Sequence, residues 1–258
     1  MDHIRAKSVA ENPLTEDNGG KPGLQKTASG ISSFLFYANQ TINLMEDRQS
    51  EPRITIDIME NGPLIVKGLK ELKAPDGSTI ETKESVALCR CGESANKPYC
   101  DGSHKRNGFS GTRESERSLR ASRAYRGEQI TIHDNRTICA HAAYCVDDLK
   151  SVFQSDARPW INPDGASTEE VIALVRRCPS GALSYELNGQ KYDNFDHTEH
   201  IAISAGGPYT VCGGIHLETT DELQPPSPEH YTLCRCGASK NKPYCDGSHH
   251  NLAEDWDR

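Results

Sequence analysis

The sequence contains no long apolar run and few aromatic residues. Hydrophobic residues make up 35% and aromatic residues 6% of its 258 residues, so little apolar surface is available for burial at this length. Residues 1–30 are polar and lack the apolar core of a signal peptide. No run approaches the roughly 18 apolar residues that a transmembrane helix needs. These absences predict a chain without a membrane segment, and we expect it in the cytoplasm.

The sequence also lacks the excess of basic residues that is typical of nucleic-acid-binding proteins. Its formal net charge is -8, whereas binding to a phosphate backbone needs clustered Lys and Arg. No phosphate-binding loop, dinucleotide fingerprint or Ser/His/Asp set is present. We therefore expect no nucleic-acid partner and no enzymatic activity of its own.

Cysteine is abundant, with ten residues in the chain. In a reducing compartment, clustered cysteines bind metal or carry redox chemistry more often than they form disulfides. Two clusters are copies of each other: CRCGESANKPYCDGSH begins at Cys89, and CRCGASKNKPYCDGSH begins 145 residues later at Cys234. The similarity extends upstream without a gap to Ile56 and Ile201, so a module of about fifty residues is duplicated.

Each copy has the spacing Cys-x-Cys, eight residues, Cys, three residues, His. Three thiolates and an imidazole suit zinc or an iron-sulfur cluster and are poor ligands for calcium or magnesium. The spacing alone leaves zinc and iron-sulfur open. A histidine ligand would raise a cluster's reduction potential and make ligation sensitive to acid. The candidate ligands are Cys89, Cys91, Cys100 and His104 in the first copy, and Cys234, Cys236, Cys245 and His249 in the second.

The pattern Cys-x-Cys-x2-Ser-x3-Pro-x-Cys-Asp-Gly-Ser-His resembles the signature of the CDGSH iron-sulfur family, the mitoNEET-like proteins, in both copies. The resemblance implies a 2Fe-2S cluster in each copy, held by the three cysteines and the histidine. Family members often pair two modules about a two-fold axis, so the copies are expected to form an intramolecular pseudo-dimer. Asp101 and Asp246 are expected to shape the ligand loops through backbone hydrogen bonds.

A different unit lies between the copies. Residues 129–133 and 181–185 predict strands, and residues 167–170 form a capping box that predicts the start of a helix. Pro179 is expected to end that helix. Strand, ligand loop, helix and strand is a ferredoxin-like order.

The middle unit carries a third cysteine group. Cys139 and Cys145 are the first and last residues of the segment CAHAAYC, and Cys178 precedes a proline. A bacterial 4Fe-4S loop instead reads Cys-x2-Cys-x2-Cys with a remote Cys-Pro. Ala142 stands where the second cysteine would be. Three thiolates suit a 3Fe-4S cluster, or a 4Fe-4S cluster whose fourth iron has another ligand. His141 is one position short of the missing cysteine.

The run from Ile130 to Tyr185 resembles the divergent single-cluster 4Fe-4S ferredoxin family. The predicted fold is therefore α+β, with two small β-rich CDGSH modules and an inserted ferredoxin-like α+β domain. The predicted boundaries are 1–50 for a polar N-terminal tail with a candidate short helix, 51–110 for the first CDGSH module, 123–193 for the ferredoxin-like domain and 196–253 for the second CDGSH module.

These features predict a soluble electron carrier with two 2Fe-2S clusters and one 3Fe-4S or 4Fe-4S cluster. A carrier without an organic cofactor needs a redox protein partner, a reductase or oxygenase, and the negative net charge favours a basic one. The chain is expected to be a monomer or a weak homo-oligomer. Two alternatives use the same ligands: a zinc-binding interaction scaffold, and a protein for iron-sulfur cluster transfer or redox sensing.

The remaining cysteine and histidines lack ligand spacing. Cys212 has no cysteine counterpart in the first copy, and we expect a buried thiol. The histidines at 133, 197, 200, 216 and 230 are expected to be surface residues or hydrogen-bonded polar residues.

Overall fold

The computed structural model describes residues 53–253 and 256–257 of the chain. The predicted tail at 1–50, with its candidate helix, lies outside the described residues. Within the described residues, three sheets account for all the strands. No helix in this part of the chain is long and apolar enough to cross a bilayer.

The first repeat is built from short strands followed by one helical turn. Leu64 and Val66 are buried while Lys67 is exposed, because successive side chains of a strand point to opposite faces of its sheet. The elements are β1 (Thr55–Ile58), β2 (Leu64–Lys67), β3 (Glu71–Lys73), β4 (Thr79–Glu81), β5 (Ser85–Leu88) and α1 (Ser103–Arg106).

The second repeat follows the same plan. Its elements are β10 (His200–Ile203), β11 (Tyr209–Cys212), β12 (His216–Glu218) and β13 (His230–Leu233), with short 3-10 helices at Asp221–Leu223 and Ser248–Asn251. Ile201, Tyr209 and Val211 are buried on the core side of its strands. At the offset of 145 residues, β1 corresponds to β10 and β3 corresponds to β12.

The two repeats exchange strands. β12 of the second repeat pairs in parallel with β1 of the first, and β3 of the first pairs in parallel with β10 of the second. Each repeat therefore pairs one of its strands with the sheet of the other, and the two pairings are equivalent. The resulting sheet orders are β12-β1-β2-β5 and β13-β11-β10-β3-β4, so each sheet contains strands of both repeats and the two share one core.

The middle unit forms the third sheet, in the order β6-β7-β8-β9. Buried Ile132 and Tyr185 on the sheet pack with Val171 and Leu174 on the longest helix, which covers one face. The elements are β6 (Arg123–Arg126), β7 (Ile130–Asp134), α2 (Tyr144–Asp148), α3 (Thr168–Val175), β8 (Leu183–Leu187) and β9 (Gln190–Tyr192).

Local signals placed the two predicted strands and the start of the predicted helix to within two residues. The capping box is confirmed: the Ser167 side chain accepts from the Glu170 backbone N–H, and the Glu170 carboxylate accepts from the Ser167 backbone N–H. The prediction that Pro179 ends the helix is wrong, because α3 ends at Val175. The Cys178 N–H donates to the Val175 carbonyl at 3.0 Å, and this tighter turn ends the regular helix before the proline.

Candidate metal centres

The first repeated motif brings its four predicted ligands together in two pairs. Cys89 and Cys91 follow β5, with their Sγ atoms 3.7 Å apart. Cys100 Sγ lies 3.3 Å from His104 Nδ1, because the two residues flank the start of α1. Tetrahedral metals with bonds of about 2.0–2.3 Å to nitrogen and sulfur place neighbouring ligands at such separations. Each pair can therefore share one metal atom.

The second motif repeats this geometry. Cys234 and Cys236 have Sγ atoms 3.8 Å apart, and Cys245 Sγ lies 3.3 Å from His249 Nδ1. The donor set and its spacing therefore fit an iron-sulfur cluster in both motifs.

The ligand loops are held by the acidic residue of each motif, as the sequence predicted. Asp101 accepts hydrogen bonds from the backbone N–H groups of Ala95 and Ser103, at 3.0 and 2.9 Å. Asp246 does the same for Lys240 and Ser248, at 2.9 and 3.0 Å. These bonds to the exposed Asp101 lower its pKa, so the carboxylate is ionised and keeps its role as an acceptor.

Sequence reasoning missed the arginine between the first two cysteines of each motif. Arg90 is 2% exposed, and it donates to the carbonyls of Gly62 and Met59, both at 2.7 Å. Arg235 donates to the carbonyl of Gly207 at 3.0 Å. The signal was present, because the same arginine occurs in both copies. A buried guanidinium beside a thiolate site supplies positive charge to an anionic cluster.

The two motifs touch each other through their backbones. Cys91 and Cys236 form an antiparallel bridge. Gly92 and Gly237 adopt φ angles of 81° and 80°. A Cβ on Gly92 would lie 2.4 Å from the Cys236 carbonyl oxygen, and a Cβ on Gly237 would lie 2.5 Å from the Cys91 carbonyl oxygen. Only glycine permits both the conformation and this close approach.

The three cysteines of the middle unit line one cavity of about 990 Å³. Cys139 follows a 3-10 helix at Arg136–Ile138, Cys145 lies on α2, and Cys178 follows α3. Burial raises the pKa of Cys145 to about 11, so a bound metal has to displace the thiol proton. Ala142 lines the same cavity and offers no ligand atom, so these cysteines fit a cluster with three thiolate ligands.

A carboxylate that sequence reasoning missed lies in the same cavity. Asp134, at the end of β7, is 2% exposed, and no described residue makes a hydrogen bond of full geometry to its oxygens, although the Trp160 indole lies close enough to stabilise the carboxylate. Burial raises the pKa of Asp134 to about 6, against the opposing effects of Arg136 and the Trp160 indole. Nothing in the spacing of Asp134 marks it, because the fold and not the motif brings it to the cavity.

The middle unit contacts the second motif directly. His141 has φ 57°, and its ring lies against Gly247, where an added Cβ would come within 2.6 Å of His141 Cδ2. His250 Nε2 is 3.2 Å from the His141 carbonyl oxygen. His141 lines the cavity of the three cysteines as well. It therefore lies between the middle cysteine site and the loop that carries His249.

Two predictions about the remaining residues have different outcomes. Cys212 is buried as expected, and burial raises its pKa to about 12. His230 is not a surface residue, but the other expectation, a hydrogen-bonded polar residue, holds for its Nδ1 atom. The residue is 1% exposed, its Nδ1 lies 2.6 Å from Glu229 Oε2, and its Nε2 is buried with no partner in the described chain.

Comparisons with known proteins give the same arrangement of domains. The family described as "Iron-binding zinc finger CDGSH type" matches residues 61–105 and 206–250. The family described as "Divergent 4Fe-4S mono-cluster" matches residues 125–188. No solved structure matches the chain significantly.

Two curated relatives match one region of the chain. Uncharacterized protein YjdI of Escherichia coli strain K12 is 40% identical over 63 residues, which are 24% of this chain and 83% of YjdI. YjdI of Escherichia coli O157:H7 gives the same values. The chain therefore carries two iron-binding CDGSH domains, one on either side of a divergent 4Fe-4S mono-cluster domain.

Proposed function

We propose that this protein is an electron carrier with three clusters. Each CDGSH motif would hold a 2Fe-2S cluster through three cysteines and one histidine. Cys139, Cys145 and Cys178 would hold a 3Fe-4S or 4Fe-4S cluster. When bound, such clusters take up and release single electrons.

One observation carries this proposal: the three ligand sets form an unbroken line of contacts. His141 joins the middle cavity to the loop of His249 through Gly247. The bridge between Cys91 and Cys236 then joins the second motif to the first. A zinc scaffold would need none of these contacts, whereas electron transfer depends on short paths between centres. The order of centres would be middle, second, first.

The residues around the cysteine ligands suit a redox-active cluster. Arg90 is buried beside the first cysteine pair and would offset negative charge on a reduced cluster, whereas Arg235 is already ion-paired with Asp257. Tyr209 of the second repeat donates its hydroxyl to the Cys89 carbonyl at 2.9 Å, which fixes the first motif from across the repeat boundary. These fixed groups would limit rearrangement when the charge of a cluster changes.

The reciprocal strand pairing supports an intramolecular pseudo-dimer of the two CDGSH modules. β3 on β10 and β12 on β1 are the same contact made twice, as a two-fold relation requires. A sheet covered by a helix, with the cysteines at one end, supports a ferredoxin-like insertion between the modules.

Asp134 is our candidate for the fourth ligand if the middle cluster is 4Fe-4S. Its carboxylate lies in the cysteine-lined cavity, where no described residue makes a hydrogen bond of full geometry to it and only nearby groups such as Trp160 and Arg136 stabilise its charge. A buried carboxylate without a close partner is costly. Asp134→Asn keeps the shape and removes the charge. We expect this variant to contain a 3Fe-4S signal by electron paramagnetic resonance where the wild type contains 4Fe-4S, and an unchanged spectrum would remove Asp134 from this role.

The partner and the location follow from charge and composition. A chain with a net charge of -8 would dock a basic reductase or oxygenase, as a monomer or weak homo-oligomer in the cytoplasm. No nucleic acid or membrane surface is part of this proposal.

The test begins with iron, zinc and acid-labile sulfide measured on anaerobically purified protein. We expect about seven or eight irons and about eight acid-labile sulfides per chain. Zinc with no sulfide would sink the proposal and leave an interaction scaffold.

The line of contacts is tested by magnetic coupling between clusters. In partially reduced protein, the signal of the second 2Fe-2S cluster should relax faster when the middle cluster is paramagnetic. Cys145→Ala, which removes a ligand of the middle cluster, should slow that relaxation. Equal relaxation in the two proteins would contradict electron transfer along this line.

Exposure of the first motif supports a second candidate, cluster transfer to an acceptor. His104 and Cys100 are half-buried, whereas His249 and Cys245 are buried. Replacing His104 by Cys should slow transfer from the first site by removing the labile ligand, with His249→Cys as the matched control. Transfer at the wild-type rate in His104→Cys would exclude this role.

A further inference from the structure

Three residues outside the cluster ligand sets converge at a second kind of site. His197 lies in the segment between β9 and β10, and Glu229 and His230 lie at the start of β13. We propose that His197, Glu229 and His230 bind one divalent first-row transition-metal ion, such as Zn²⁺ or Fe²⁺. This site is separate from the iron-sulfur ligands and does not depend on the electron-carrier proposal.

Both imidazoles contact the same carboxylate, and each lies nearest to a different one of its oxygens. Glu229 Oε1 lies 2.8 Å from His197 Nδ1, and Glu229 Oε2 lies 2.6 Å from His230 Nδ1. One ligand atom from each residue lies within 4.8 Å of the other two. The His197 backbone N–H also donates to Glu229 Oε1 at 3.0 Å, which fixes the carboxylate in the orientation that both histidines need.

Glu229 is a buried carboxylate that a cation would pair. It is 6% exposed, and among the described residues its ion-pair partners are the two histidines. The Phe195 backbone N–H also donates to Glu229 Oε2, at 3.4 Å. Buried charges are normally paired or coordinate metals, and a divalent ion held by both imidazoles would pair this carboxylate.

The two arginines that line the neighbouring cavity do not take this role: Arg177 pairs with Asp148 at 2.8 Å. Arg176 Nη2 donates to the Phe195 carbonyl at 3.1 Å. Its guanidinium lies over the Phe195 ring, 5.6 Å from the ring centroid. The carboxylate is therefore left to the two imidazoles.

A cavity of about 380 Å³ adjoins the site. His197, His200, His230 and Cys212 line it, and the Nε2 atom of His230 is buried there without a partner in the described chain. Two histidines and one carboxylate leave coordination positions open on a metal ion. The cavity has room for a water molecule or a small ligand at those positions.

The donor set selects the class of ion. Imidazole nitrogen suits zinc, iron, copper and nickel, whereas calcium and magnesium prefer oxygen ligands alone. Glu229 adds the hard oxygen donor that zinc and ferrous iron accept. The bound ion would fasten the segment that leaves the middle domain to β13, the strand that leads into Cys234.

The test uses zinc on the full chain with its clusters. Anaerobically purified protein is freed of loosely bound metal and equilibrated with radioactive Zn²⁺, and bound zinc is examined by X-ray absorption at the zinc edge. We expect about one zinc per chain with nitrogen and oxygen ligands at about 2.0–2.1 Å, and no sulfur at about 2.3 Å. His197→Ala and Glu229→Gln should each weaken zinc binding at least about tenfold.

His216→Ala is the matched control, because His216 faces Glu218 at 3.5 Å on β12 in a histidine–glutamate pair that has no third ligand among the described residues. It should bind zinc as the wild type does. Sulfide content, measured on the same samples, shows whether each variant is folded. Zinc absent from the wild type, zinc with sulfur ligands, or equal binding by wild type and both site variants would overturn the proposal. Sulfide lost with zinc retained would instead overturn the electron-carrier function alone.

Discussion

The two CDGSH motifs are nearly identical in sequence and differ in what surrounds them. Between Leu88 and His104, 15 of 17 positions equal their counterparts, and the ligand distances agree within 0.1 Å. The ligands of the second motif, however, are shielded from solvent: His249 is 6% exposed and Cys245 is 2% exposed. In the first motif the equivalent residues are half-buried.

The middle domain accounts for this difference. His141 covers Gly247 in the second motif, whereas no described atom lies within 4 Å of an added Cβ on Gly102, its counterpart in the first. Burial also lowers the pKa of His249 to about 4. A duplicated site can therefore acquire two environments without changing its ligands, because a third domain covers only one of the two copies.

The largest effect is expected from breaking the contact that the two motifs share. Gly237→Ala places a Cβ 2.5 Å from the Cys91 carbonyl oxygen and forces alanine into a left-handed conformation, which by itself costs about 1–3 kcal/mol. Thermal unfolding should shift downward and both clusters should be depleted. Gly77→Ala, at φ 83° with open space around it, is the control that carries only the backbone strain. If the two variants unfold alike, the contact between the motifs contributes nothing.

A matched pair of glycines isolates the effect of the middle domain. Gly102 and Gly247 have φ angles of 87° and 83°, so alanine meets equal backbone strain at both positions. Gly247→Ala additionally displaces His141, and we expect it to disturb the spectra of the second and middle clusters, with a stability loss about 1 kcal/mol larger than in Gly102→Ala. Equal losses, with equal spectra, would show that His141 does not hold the second motif.

Chelator-driven iron loss measures the difference in exposure directly. Cys245→Ala leaves the first site intact and Cys100→Ala leaves the second, so each can be followed alone. We expect the first site to lose iron about tenfold faster, which corresponds to ~1.4 kcal/mol, because its ligands are more accessible. Adding His141→Ala should raise the rate of the second site toward that of the first, and an unchanged rate would contradict coverage by the middle domain.

The smallest effect is expected from removing one hydrogen bond that the second repeat donates to the first motif. Tyr209 donates to the carbonyls of Cys89 and Pro98 at 2.9 and 3.1 Å, and its counterpart in the first repeat is Leu64. Tyr209→Phe leaves the buried Cys89 carbonyl without this donor, at a cost of about 1 kcal/mol. Iron loss from the first site should quicken slightly. Tyr231→Phe, which removes a bond to Ile215, should leave that rate unchanged.

The structural features that depend on local spacing could be predicted from the sequence. The ligands of both CDGSH motifs lie within sixteen residues, so their convergence follows from the loop itself. The capping box at Ser167 and the alternation in β2 are equally local and were predictable. The helix end before Pro179 was misplaced because tighter hydrogen bonds end α3 one turn early.

Contacts between distant segments were beyond sequence reasoning. Strand pairing of β3 with β10, the approach of His141 to Gly247 and the burial of Asp134 depend on how remote segments meet. The pair His197 and Glu229 is separated by 32 positions, so no ligand motif marks it. These long-range contacts distinguish the two motifs, and a single sequence carries no pattern for them.

The strand exchange has a consequence for how the chain is made. β1 finds its parallel neighbour in β12, and β3 finds its own in β10, so the N-terminal module emerges from the ribosome before its partner strands exist. Synthesis at about 5–20 residues per second delays those strands by on the order of ten seconds. During that interval β1 and β3 present unpaired edges, which are prone to wrong pairing with other chains. The insertion between the repeats lengthens this period, and chaperone protection of the nascent chain is therefore most valuable while the middle domain is being translated.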